Sequence, residues 1–90
     1  MAHEKDLFRV EITRKALKDI ENLSPKLKKK LREILLNRIA VDPYSGKKLV
    51  GDLTGYRSIR LNLQDRIVYR IDEDKSVIYI LRARSHYEKL

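Results

Sequence analysis

Apolar positions along the chain change their period repeatedly, and the changes mark out the elements. Leu7-Phe8-Arg9-Val10-Glu11-Ile12 alternates apolar and polar side chains, which predicts a strand with one face buried. Thr13 then offers an N-cap hydroxyl, and Ala16, Leu17, Ile20 and Leu23 recur at helical spacing, so a short helix should follow. Ser24-Pro25 opens a second helix, with serine as cap and proline at the first helical position, where its missing N–H costs nothing. Leu27, Leu31, Ile34, Leu35 and Ile39 form the apolar stripe of that helix. Asp42-Pro43-Tyr44-Ser45-Gly46 breaks it, and a loop containing Lys47, Lys48, Gly51 and Gly55 comes next.

The remainder reads as strands over roughly Tyr56 to Leu63, Arg66 to Ile71 and Ser76 to Arg82. They are joined by the short polar links Leu63-Gln64-Asp65 and Asp72-Glu73-Asp74-Lys75, which predict an antiparallel meander. Val77-Ile78-Tyr79-Ile80-Leu81 lacks polar alternation, as expected of a central strand buried on both sides. The fold class is therefore α+β: a β-α-α-β-β-β chain whose two N-terminal helices cover one face of an antiparallel sheet. With 90 residues and no repeat, linker or low-complexity tract, residues 1–90 form a single domain. Strict alternation through the turn at Asp72 to Lys75 puts Arg66 and Arg82 on opposite faces, unless a bulge or another register intervenes.

Charge adds a partner to this picture. Lys and Arg total 21 against 13 Asp and Glu, a formal net charge of +8, which favours a polyanion or an acidic protein. Lys26, Lys28, Lys29, Lys30, Arg32 and Arg38 lie off the apolar stripe of the second helix, a pattern more often a solvated face than a binding one. With no cysteine, neither a disulfide nor a thiolate metal site can form, and a reducing compartment fits best. The longest apolar run is too short to span a bilayer, and Met1-Ala2-His3-Glu4-Lys5-Asp6 lacks the apolar centre of a signal peptide, so the expected location is the cytoplasm, away from membranes.

Candidate chemistry concentrates in the last third, where strands carry arginines at their ends: Arg57 and Arg60, Arg66 and Arg70, Arg82 and Arg84, followed by Ser85-His86-Tyr87. A sheet with several guanidinium groups, followed by one histidine and one tyrosine, has the parts needed to grip an RNA phosphate and move protons around it. The imidazole of His86 changes charge near neutral pH and suits the proton transfer. His3, in a polar N-terminus without such neighbours, carries no functional weight.

The order of elements, the Lys48-Leu49 and Gly55-Tyr56-Arg57 loop, the Arg66-Ile67-Val68-Tyr69 strand and the Ser85-His86-Tyr87 tail together resemble the RelE/ParE toxin superfamily over essentially the full length. The tail is most similar to its YoeB and YafQ branches. The resemblance implies a RelE-like microbial ribonuclease fold and a type II toxin that cuts messenger RNA in the ribosome without a metal or other cofactor. A cognate acidic, RelB-like antitoxin would silence it. By the same resemblance His86, Arg66, Arg60 and Tyr87 are catalytic, and Lys47, Lys48, Arg57, Arg82 and Arg84 bind RNA. Where the YoeB branch has a catalytic glutamate and YafQ a histidine, this chain offers Lys47 or Lys48, so the general base stays open. The alternatives are a ParE-type toxin acting on DNA gyrase and a non-catalytic basic module that binds RNA or antitoxin.

Overall fold

The computed structural model describes residues 7–84. Strand β1 (Arg9–Ile12) leads into α1 (Arg14–Glu21) and α2 (Pro25–Ile34), which continues as a wider π turn over Leu35–Ile39. Then come β2 (Lys47–Lys48), β3 (Arg57–Arg60), β4 (Arg66–Asp72) and β5 (Val77–Arg84), in the sheet order β1-β5-β4-β3-β2. The predicted meander is present: β3 pairs with β4 and β4 with β5, both antiparallel.

Three strands depart from expectation. β1 enters parallel to β5, so the sheet is mixed; the long connection that a parallel neighbour requires is supplied by the helices and the meander between them. The Lys47-Lys48 segment, expected as loop, forms a short edge strand antiparallel to β3. β3 also stops at Arg60 rather than Leu63. There the Asn62 side chain accepts hydrogen bonds from the backbone N–H groups of Gln64 (2.8 Å) and Asp65 (2.5 Å), closing a turn that competes with the ladder.

Both helix starts follow the sequence. Thr13 Oγ1 accepts from the Ala16 N–H and Ser24 Oγ from the Leu27 N–H, each at 3.2 Å, with Pro25 in the first helical turn. In the π turn the Ala40 N–H reaches back to the Leu35 carbonyl, leaving Leu35 and Ile39 both buried. Ala16, Leu31, Leu35 and Ile39 pack on Ile59, Ile67, Tyr69, Ile78, Ile80 and Ala83, the core face of the sheet. Leu17, expected in the apolar stripe of α1, is 47% exposed, because the short helix turns Ala16 and Ile20 to the sheet and leaves Leu17 at its flank. Tyr69 is fully buried; its hydroxyl donates to the Pro43 carbonyl at 2.6 Å, and burial pushes its pKa up. A Cβ at Gly46 would run into that hydroxyl, which explains a glycine there.

The register resolves the placement of the arginines. Val68 pairs with Arg82 but Tyr69 pairs with Ile80, so Leu81 is an extra residue in β5 and a bulge interrupts the alternation. Arg66 and Arg82 thereby start from the same face, correcting the strict-alternation expectation.

Candidate nucleic-acid interface

Helices cover the face of the sheet that carries Ile59, Ile67, Tyr69, Ile78 and Ile80. The opposite face carries the charge. Arg60 on β3 stands opposite Arg66 on β4, which stands opposite Arg84 on β5, a row of three guanidinium side chains across adjacent strands. Opposed positions bring Cβ atoms to about 5 Å, and like charges there are destabilising. The row is compensated at one end only: Arg84 feels the charge of the Asp19 carboxylate, whereas Arg66 makes no hydrogen bond or ion pair with the described residues and Arg60 only a long contact of 3.5 Å to the Leu63 carbonyl. A row compensated only at its Arg84 end fits a polyanionic ligand, whose phosphate would relieve the remaining repulsion.

The pairing of β2 separates the two candidate lysines. Lys47 lies opposite Ser58 and therefore shares the face of Arg60 and Arg66, while Lys48 lies opposite Arg57 on the other face. Lys48 instead borders a small cavity of about 220 Å³ with Leu49, Thr54, Gly55 and Tyr56.

Two of the sequence-predicted RNA-binding arginines have internal partners. Arg57 donates to the backbone carbonyls of Tyr44 and Gly46, both at 3.0 Å, and its guanidinium sits 5.3 Å from the centre of the Tyr44 ring. It clamps the turn that leads into β2. Tyr44 in turn donates to Glu73 at 2.6 Å, and this bond holds its pKa above the ordinary value. Arg82 is bound by Asp19 of α1, Nε to Oδ2 at 2.8 Å and Nη2 to Oδ1 at 3.0 Å, with both side chains nearly buried.

Asp19 was not singled out by sequence reasoning, yet it shapes the site. β1 ends beside Ile80, which leaves the last residues of β5 without a neighbour on that side. Thr13 carries the chain off the sheet by donating its N–H and hydroxyl to the Ile80 carbonyl, and further along α1 Asp19 returns to accept the Ala83 N–H at 3.0 Å. The carboxylate thus stands in for the missing strand and fixes Arg84 opposite Arg66. Burial works to raise the Asp19 pKa, but the hydrogen bonds from Arg82 and Ala83, with the charges of Arg82 and Arg84, outweigh it and hold the carboxyl below its ordinary value. An isolated Asp inside a basic helix carries no sequence signal for this role, since its partners are more than 60 residues away.

His86 and Tyr87 lie outside the described residues. In sequence they follow Arg84, the last arginine of the row.

Comparison with known proteins agrees with this fold. The family model for the ParE toxin of the type II toxin–antitoxin system parDE matches residues 10–90. The toxin YoeB of Mycobacterium bovis is 40% identical over 57 residues, 59% of this chain and 65% of that protein, so the match spans somewhat less than two thirds of the relative. The toxin YoeB of Streptomyces coelicolor is 38% identical over 66 residues, 69% of this chain and 75% of that protein. Among solved structures, the toxin–antitoxin complex RelBE2 of Mycobacterium tuberculosis superposes with a TM-score of 0.81 at 28% identity, covering 91% of this chain and 94% of that one. The YoeB–YefM complex of Staphylococcus aureus gives 0.73 at 28% identity, covering 89% and 98%. A helix-backed mixed sheet matched over nearly its whole length, together with the family model over residues 10–90, places this chain in the RelE/ParE superfamily of type II toxins, with YoeB-like relatives.

Proposed function

We propose that the protein is a messenger RNA endoribonuclease of a type II toxin–antitoxin system, acting in the cytoplasm on RNA held in the ribosome. The observation that carries this reading is the row Arg60–Arg66–Arg84 on the sheet face turned away from the helices. It is suited to a single phosphate group whose charge rises during reaction. In the proposed reaction a base removes the 2′-hydroxyl proton and the oxygen attacks the adjacent phosphorus. The 5′-oxygen then leaves with a proton from an acid, giving a 2′,3′-cyclic phosphate and a 5′-hydroxyl end. Arg66, central in the row, faces the phosphorane and stabilises the charge that forms there; Arg60 and Arg84 flank it. His86 supplies the acid, and Tyr87 orients the substrate. Lys47, on the same face as the row, is better placed than Lys48 to serve as base or to hold the backbone.

Solved relatives include complexes of such toxins with antitoxins, RelBE2 and YoeB–YefM among them. By extension an acidic antitoxin covers the arginine face here, and it should associate at a rate that falls steeply with salt. Adding purified protein to translating ribosomes and mapping messenger ends tests the reading. Cuts within the codon awaiting decoding, lost in His86→Ala by about 10²- to 10⁴-fold, are expected. Gyrase-dependent DNA breaks with intact messenger would assign the protein to the ParE mode of action instead.

A further inference from the structure

The face opposite the helices continues past the arginine row. Along β4 it reaches Arg70, which stands opposite Tyr79 of β5, and Tyr79 stands opposite Glu11 of β1. The Arg70 guanidinium carbon lies 4.3 Å from the centre of the Tyr79 ring, the separation of a cation resting on an aromatic face. Tyr79 is half-buried and Arg70 exposed, so the ring forms a floor and the guanidinium a layer over it on the solvent side. Four residues separate Arg66 from Arg70, about 13 Å at strand spacing. A single strand whose phosphate rests on the row brings a neighbouring base within reach of that layer.

We propose that Arg70, backed by Tyr79, is a stacking subsite for one unpaired base of the RNA, flanking the phosphate held by Arg60, Arg66 and Arg84; this rests on the RNA reading above. A guanidinium plane stacks on any base, since every base has a π face, and it is weakly hydrated enough to lose water on that side. Glu11 sharpens the assignment. It lies in the same row as Tyr79 and pairs with Arg9 at 3.1 Å, so the far side of the platform offers phosphate an ion pair rather than a free cation. The backbone of the strand therefore stays over the arginine row, and the base, not the phosphate, meets Arg70.

The test is binding, read by fluorescence anisotropy with the full chain and a short 2′-O-methyl RNA that lacks the attacking hydroxyl, an abasic residue being walked along it. One position should lose about tenfold in affinity when abasic. Arg70→Ala and Arg70→Lys should erase that loss equally, because a lysine keeps the charge but not the plane. Arg60→Ala should weaken every oligonucleotide alike and preserve the positional profile. Arg70 is exposed, so these variants spare the core; Tyr79→Leu should blunt the same position. A flat abasic profile, or one that Arg70→Lys retains, would overturn the subsite. So would a profile unchanged in Arg70→Ala while the same variant loses affinity for a polyglutamate peptide, since the surface would then belong to a protein partner. A protein with the expected profile that leaves ribosome-bound messenger intact would sink the nuclease reading alone.

Discussion

The two faces of the sheet are built from the same strands by opposite rules. On the helix side Ile59, Ile67, Tyr69, Ile78 and Ile80 are buried together, and the single polar group among them, the Tyr69 hydroxyl, has its acceptor in Pro43. On the other side Lys47, Arg60, Arg66, Arg70 and Arg84 gather like charges at opposed or nearby positions. The first face lowers the free energy of folding; the second raises it slightly. Because side chains alternate along a strand, neighbouring residues such as Arg66 and Ile67 serve different ends, and substitutions one position apart should separate stability from activity.

The largest effect expected is on the covered face. Ile67→Ala should cost about 3 kcal/mol, from lost burial and the cavity left under α2, and urea unfolding should show it directly. In a domain of this size that is a large share of the total stability. A loss below about 1 kcal/mol would mean that the face is not packed as described.

Asp19 ties the covered side to the uncovered one, and Asp19→Ala should follow closely. Removing one partner of a nearly buried ion pair leaves Arg82 unpaired and the Ala83 N–H without an acceptor, a cost of about 3 kcal/mol. The pH dependence has a definite sign. The folded carboxyl lies below its ordinary 3.8, so its contribution is fully present above that value and is lost as pH falls through the lower, folded pKa. Melting curves of the wild type should therefore drop on acidification below about pH 4, and Asp19→Asn should remove part of that drop. An identical acid profile in the variant would contradict the pairing.

Arg66→Ala should invert the pattern of Ile67→Ala. Single-turnover cleavage should slow by about 10²-fold or more, as when a donor aimed at developing charge is removed, with stability unchanged or slightly raised by the relief of repulsion from Arg60 and Arg84. A normal chemical step with only weaker ribosome binding would reduce Arg66 to a docking residue.

The smallest effect is the finest test of register. Lys47→Ala should reduce RNA affinity and lessen its salt dependence by about one counterion, whereas Lys48→Ala, on the other face, should do so less. Equal losses would imply that the two-residue β2 does not hold its pairing when RNA is bound.

What the sequence by itself determined was everything that depends on local periodicity or local hydrogen bonding. Thr13 and Ser24 cap because a side-chain oxygen next to a helix start finds its donor three residues on. The meander is legible because its turns are short and polar, and the core strands because their apolar residues are dense. The excess of positive charge, and its concentration in the last third, needed no coordinates either. Tertiary structure alone decided which of those charges are available. Arg57, Arg60, Arg82 and Arg84 look equivalent in the chain. Yet Arg57 is spent on the Tyr44–Gly46 turn and Arg82 on Asp19, while Arg60 and Arg84 flank Arg66. The difference comes from a bulge of one residue at Leu81, the parallel entry of β1 and its early end at Ile12, and the pairing of Lys47 with Ser58. Each is set by contacts between segments far apart in sequence, where a one-residue shift exchanges the faces, and periodicity within any one segment is blind to it.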